Sequence, residues 1–212
     1  MKIKFSFIIF FTAVSLPSGR AWSQYFAERE WQNGSVFLEE DTLIGNFKYE
    51  LERETVIFES GGQLQTFSSR KVVGFQFYDN YYRKNRFFYT LPFAKRSNYK
   101  TPTFFELLYQ GETVSLLCRE QLTSRTQSVL TPNPWGIGVP NTIITYSIKY
   151  DFYFLFNKNN QVKYFNSTKK DLLRLLPDQA SALQNYLEKN KVRFNSPEDM
   201  TNLIAFYNSL KK

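Results

Sequence analysis

The chain contains no histidine. That removes the commonest general base, the commonest zinc ligand and the usual partner of a serine or cysteine nucleophile. Hydrolysis would then have to rest on carboxylates, and a paired acid and base need two of them about 5–9.5 Å apart in a cleft. Glu106, Glu112 and Asp151 are the acids that sit in or beside the strongest strand patterns. A charge alternating with apolar residues on a strand normally faces solvent, so no catalytic residue, metal site or cofactor is predicted. Cys118, the one cysteine, closes the apolar run Val114-Ser115-Leu116-Leu117. It reads as a buried strand residue with no base to activate it.

Binding chemistry has better candidates. Between Tyr81 and Lys100 lie Arg83, Lys84, Arg86, Lys95, Arg96 and Lys100 without one acid, interleaved with rings that include Tyr81 and Tyr82. Cations and rings in this density suit an anionic envelope polymer or lipid headgroups. The same pattern also fits a strand whose charges are solvated and whose rings face a core. The other candidate is Trp135, inside the Pro- and Gly-containing stretch Ser124–Asn141, read as a long loop. Its ring could stack on a sugar or anchor the loop to its own domain, and anchoring is the simpler account.

The elements that would position these residues are mostly strands. From about Ser35 to Phe165 apolar residues alternate, with turn residues at short intervals, as in antiparallel sheets. Gly61-Gly62 marks a hairpin, because two glycines accept positive φ at little cost. Val73, Phe75 and Phe77 are expected on one face. Ile148, Tyr150, Phe152, Phe154 and Phe156 give the clearest strand, followed by a turn and Gln161–Phe165. The fold class is α+β, mainly β: nine to ten antiparallel strands, as a sandwich, a rolled sheet or a partial barrel.

At Asn166 the period changes to that of helices. Thr168 precedes Leu172, Leu173, Leu175 and Leu176; Pro177 opens a second helix; Ser196-Pro197-Glu198-Asp199 starts a third. None is long enough to stand alone, so residues 166–212 form a helical subdomain packed on a β domain of residues 24–165.

Residues 1–23 read as a secretory signal peptide: Lys2 and Lys4, an apolar run from Phe5 to Leu16 too short to cross a bilayer, then small residues Ala21 and Ser23. No later segment predicts a transmembrane helix. Losing Lys2, Lys4 and Arg20 with the leader takes the net charge from +8 to +5. That mild excess does not suggest nucleic acid. Export to the periplasm or cell surface is therefore expected.

Leu43-Ile44-Gly45-Asn46-Phe47-Lys48-Tyr49, Phe105-Glu106-Leu107-Leu108-Tyr109-Gln110-Gly111-Glu112, Lys169-Lys170-Asp171-Leu172-Leu173 and Phe206-Tyr207-Asn208 occur in this order. The order resembles a family of uncharacterised exported proteins of Bacteroidetes-type bacteria. The resemblance implies a β-rich exported domain with C-terminal helices and supplies no activity. The expected function is a non-enzymatic cell-envelope protein that binds an envelope polymer, lipid headgroups or another envelope protein. A carboxylate-based glycan hydrolase and an outer-membrane-associated assembly partner are the alternatives.

Overall fold

The computed structural model describes residues 26–94, 99–132, 136 and 138–211. Residues 1–23, which the sequence reading takes as a leader, and Lys95, Arg96 and Trp135 lie outside the described residues. Ten strands form one antiparallel sheet: β1 Gln32–Leu38, β2 Thr42–Glu50, β3 Thr55–Ser60, β4 Gln63–Ser68, β5 Val72–Asp79, β6 Lys84–Phe93, β7 Thr101–Tyr109, β8 Val114–Pro132, β9 Gly138–Phe156 and β10 Gln161–Phe165. Their spatial order is β10-β9-β8-β7-β6-β5-β1-β2-β3-β4. Sequential hairpins account for every pairing except one, in which β5 returns to lie against β1. The Gly61-Gly62 turn has φ of 57° and 79°, the left-handed geometry read from the sequence.

The sheet is rolled. A flat sheet would hold β2 and β6 about 14 Å apart, since β1 and β5 lie between them. Yet the ring of Tyr49 on β2 is 5.0 Å from that of Phe88 on β6, and both pack on Phe75 of β5. The roll encloses a core of Val36, Phe47, Tyr49, Val56, Phe58, Phe75, Phe77, Phe88 and Phe104. It demands close backbone approach at two glycines. A Cβ on Gly34 would stand 2.1 Å from the carbonyl oxygen of Gln76, and one on Gly74 would stand 2.5 Å from that of Phe88.

The same face of the sheet continues into β8 and β9, where Val114, Leu116, Cys118, Phe152 and Phe154 are covered by the helices. These are α1 Lys169–Leu175, α2 Ala180–Asn190 and α3 Pro197–Ser209. Thr168 and Ser196 cap α1 and α3 by accepting from the N–H groups of Asp171 and Asp199. Leu172, Leu183, Met200, Leu203 and Ile204 are buried on the sheet, as their spacing predicts. Pro177 starts a 3-10 turn, Pro177–Gln179, ahead of α2. None of the helices is long and apolar enough to cross a membrane.

Two sequence expectations are corrected. Val73 does not share a face with Phe75 and Phe77: the register between β1 and β5 slips at Phe37/Leu38, where Leu38 pairs with Val72 and Phe37 with Gly74. Val73 is the extra residue of a bulge, so it is 49% exposed while Val72 is buried. Within the stretch Ser124–Asn141, expected as a loop, the described residues 124–132 and 138–141 are strand. β8 and β9 remain in register from Val114–Phe156 out to Pro132–Gly138, forming a long two-stranded arm. Its threonines, valines and isoleucines favour extended backbone, and a solvated ribbon needs no apolar alternation to remain paired. Pro132 and Pro140 are tolerated because beyond Cys118 and Phe152 neither β7 nor β10 pairs with these strands.

Candidate functional site

A cleft of about 1330 Å³ opens where β7 and β8 part company. Their pairing ends at Glu106–Cys118; from there β7 stays with β6 and β8 stays with β9. The parting would leave the backbone of Phe104 unpaired inside the protein, a costly state. Two side chains take the place of the missing strand. The Phe104 N–H donates to Glu54 Oε2 at 2.7 Å, and Arg119 Nη1 donates to the Phe104 carbonyl at 2.6 Å. Arg119 and Glu54 form an ion pair at 2.9 Å, and Arg119 Nη2 also donates to the carbonyl of Leu51. The guanidinium thereby ties the β2–β3 turn to the splayed strands and fixes one wall of the cleft.

The remaining walls come from distant parts of the chain. The N-terminal 3-10 turn, Ala27–Arg29, brings Glu28 and Arg29; β2 and its turn bring Lys48, Glu50 and Glu52; the β6–β7 connection brings Phe93 and Tyr99; β9 and β10 bring Tyr153 and Tyr164. Phe93, Phe105, Tyr153 and Tyr164 make a chain of edge-to-face rings, with neighbouring centroids 4.9–5.6 Å apart. The cleft thus joins a ring-lined floor to charged rims of both signs.

Glu28 is the most perturbed carboxyl there. Burial pushes it up to about 7, against the opposing pull of the Leu51 N–H that it accepts and of the Arg119 charge. A carboxyl with a raised folded-state value favours folding most at low pH. Its contribution is lost as pH rises from the unfolded value of about 4.5 through 7. Glu28→Gln keeps the acceptor for Leu51 and cannot ionise. The stability of the variant relative to wild type is expected to rise by about 1–2 kcal/mol between pH 4.5 and 7.5, allowing for solvent screening of a half-buried group. Denaturant unfolding of both proteins at the two pH values measures it.

Behind the cleft lies a buried charge cluster. Arg86 is bidentate to Glu106, with Nε–Oε1 at 2.9 Å and Nη2–Oε2 at 2.5 Å; it reaches Glu120 Oε1 at 3.0 Å and Asp79 Oδ2 at 3.4 Å. All four side chains are buried, and Lys84 adds a half-exposed ammonium 3.6 Å from Glu106. Burial holds the Glu120 carboxyl above its usual range, against the attraction of Arg86. Burial also pushes the Cys118 thiol well up, which disfavours the thiolate.

Among the described residues, the basic and aromatic residues singled out in the sequence do not gather into one patch. Arg86 is interior. Tyr81, Tyr82, Arg83 and Lys84 meet at the β5–β6 turn, where Asp79 Oδ1 accepts from the N–H groups of Tyr81 and Tyr82. There the two rings stand edge to face at 5.0 Å and Lys84 lies over Tyr82. Lys100 precedes Thr101, which pairs with Phe93 at the other end of β6, about 30 Å away along the strand. The three candidate acids do not converge either. Glu106 aligns across β8 with Cys118 and Phe152, so its neighbour-by-one Asp151, paired to Lys149 at 2.9 Å, faces the opposite side of the sheet. Glu112 sits exposed in the β7–β8 turn.

The cleft residues escaped the sequence reading because they come from six separate segments. One local signal was present: Arg119-Glu120 ends the apolar alternation of β8 abruptly, as two adjacent charges on opposite faces of a strand that is buried up to that point. Among the described residues no cluster of acids or cysteine has the spacing to hold a metal ion. No protein-family profile matches the chain, and searches of the curated proteins and of the solved structures return no significant match.

Proposed function

We propose that this chain is an exported, non-enzymatic protein of the cell envelope, resident in the periplasm or at the cell surface, that holds a stretch of envelope glycan in the β7–β8 cleft. The observation that carries the reading is the cleft itself. At about 1330 Å³ it exceeds the usual 300–1,000 Å³ of small-molecule pockets and suits an extended ligand. Tyrosine rings offer apolar faces for sugar rings and hydroxyls for hydrogen bonds. Carboxylates and cations around the rim suit a ligand rich in hydroxyls better than one of a single charge. The leader-like residues 1–23 support the compartment.

Binding rather than hydrolysis is favoured because the buried acids of the cleft are already engaged, Glu28 by the Leu51 N–H, Glu54 by Arg119 and Phe104, and Glu120 by Arg86, which leaves only Glu50 and Glu52 on the rim. A hydrolytic reading has one observation behind it, the Glu28 carboxyl that keeps its proton near neutral pH. Release of reducing ends from cell-wall glycan by wild type, abolished in Glu28→Gln, would replace the binding reading with that one.

The test is co-sedimentation of the mature chain with purified cell-wall glycan, followed by titration with soluble fragments. Tyr164→Ala is expected to weaken binding about tenfold, the equivalent of one lost ring contact of about 1.4 kcal/mol. Failure to bind glycan, with salt-sensitive binding to anionic lipid vesicles instead, would move the site to the Tyr81–Lys84 turn and overturn the cleft assignment.

A further inference from the structure

The charges that line the cleft are unequally committed. Arg119 directs its donors to Glu54 and to the carbonyls of Phe104 and Leu51. Glu120 is held by Arg86, and Glu50 is tied to Arg53 at 3.3 Å. Glu28 accepts the Leu51 N–H, and burial pushes its carboxyl up to about 7, so it opposes a bound anion only weakly. Lys48 and Arg29, which line the same cleft, have no acid partner among the described residues. Lys48 is half-buried on β2, with Ile57 as its neighbour across the β2–β3 ladder. Arg29 lies 5.5 Å over the ring of Tyr146, a contact that steadies the guanidinium and uses none of its N–H donors. Against these two cations the lining sets one uncommitted acid, Glu52, which is exposed. A partly desolvated ammonium without a counter-charge is costly in the free protein, and a bound anion offsets that cost.

We propose that the glycan held in the cleft is an acidic one, rich in hydroxyls and carrying isolated carboxylates on its sugars, and that Lys48 and Arg29 bind the carboxylate; the proposal rests on the cleft reading above. The hydroxyls of such a ligand suit Glu52 and Glu50, and its ring faces suit Tyr153 and Tyr164. A singly charged carboxylate fits this lining better than a phosphate. A phosphate calls for several donors converging on one point, such as a helix N-terminus or a free guanidinium fork. Here Arg119 is engaged, and the turn Ala27–Arg29 is only 3 residues long.

Calorimetric titration of the mature chain with two tetrasaccharides reads the preference: N-acetylglucosamine alternating with N-acetylmuramic acid, and tetragalacturonate, each as free acid and as methyl ester. Wild type is expected to bind the free acid about tenfold tighter than the ester in at least one series, the gain of one charge-assisted contact, and the tighter series names the acidic sugar. Lys48→Gln should lower the acid-to-ester ratio to about two, and Arg29→Gln to about five. Tyr164→Ala should weaken acid and ester alike and leave the ratio where it was. Equal affinity for acid and ester, still weakened by Tyr164→Ala, overturns this proposal and leaves the cleft reading in place. Binding of none of the four overturns both. A preference for the acid that survives Lys48→Gln and Arg29→Gln together places the recognition elsewhere and overturns the proposal, as does displacement of the acid by inorganic phosphate but not by equal acetate.

Discussion

Replacing Arg86 with methionine is expected to cost about 3–5 kcal/mol or to prevent folding altogether, because it removes the guanidinium and leaves its acids behind. Arg86 is in contact with Glu106, Glu120 and Asp79, all buried, and its own side chain is 1% exposed. Methionine fills much of the volume, so the loss reports charge and hydrogen bonds rather than a cavity. The decisive comparison is the triple variant Arg86→Met, Glu106→Gln, Glu120→Gln, which neutralises two of the stranded acids. It should recover at least half of the loss in urea unfolding. If Arg86→Met costs under about 1 kcal/mol, or if the triple variant is no better, the cluster is not what holds β5, β6, β7 and β8 together. Arg86→Lys should fall between, since an ammonium cannot reproduce a bidentate contact together with two others.

The second large effect is expected at Asn208, near the end of α3. Its side-chain oxygen accepts from the N–H groups of Thr113 and Val114 at 2.9 and 3.2 Å, and its amide donates to the carbonyls of Val114 and Ile204 at 2.9 and 2.8 Å. One buried amide thus pins α3 to the start of β8, where the two strand-end N–H groups have no strand partner. Asn208→Ala should cost about 2–4 kcal/mol, more than an average single hydrogen bond, because several buried backbone groups lose their partner at once. Asn208→Asp keeps the acceptor but turns a carboxylate oxygen toward the carbonyls of Val114 and Ile204, so at neutral pH it should be no more stable than Asn208→Ala. The readout is thermal unfolding, with amide exchange at Thr113 and Val114 as the local signature. Fast exchange there with little change in the core strands would show the tether failing before the fold does.

Much of the architecture was legible in the sequence, and the exceptions share a cause. The helix caps at Thr168 and Ser196, the glycine hairpin and the buried face of Phe152 and Phe154 are local patterns, each decided by residues a few positions apart. Val73 defeated the alternation because a bulge is created by the register of a neighbouring strand, and β1 lies far from β5 in the chain. Arg86 looked like a surface cation because its partners are 7, 20 and 34 residues away, at Asp79, Glu106 and Glu120. The cleft depends on where two paired strands separate, and Arg119 reveals its role only once the β2–β3 turn has been brought alongside. The arm was misread because Ser124–Asn141 carries prolines and glycines that suit a loop, while its pairing is made by rungs rather than by burial.

The position of β1 has a consequence for how the molecule is assembled in time. Every other neighbouring pair in the sheet is joined by a hairpin and can zip as soon as its two strands exist, but β1 acquires its second neighbour only when β5 returns across the intervening β2, β3 and β4. Until then Val36 and Phe75 cannot meet and the aromatic roll has no closure. The β1–β5 seam is therefore the one long-range contact whose loop entropy must be met before the sheet is continuous, and it is the natural rate-limiting step. A chain threaded N-terminus first would carry an unsatisfied β1 edge until about residue 79 had emerged, an interval in which that edge is open to chaperones or to a neighbouring chain.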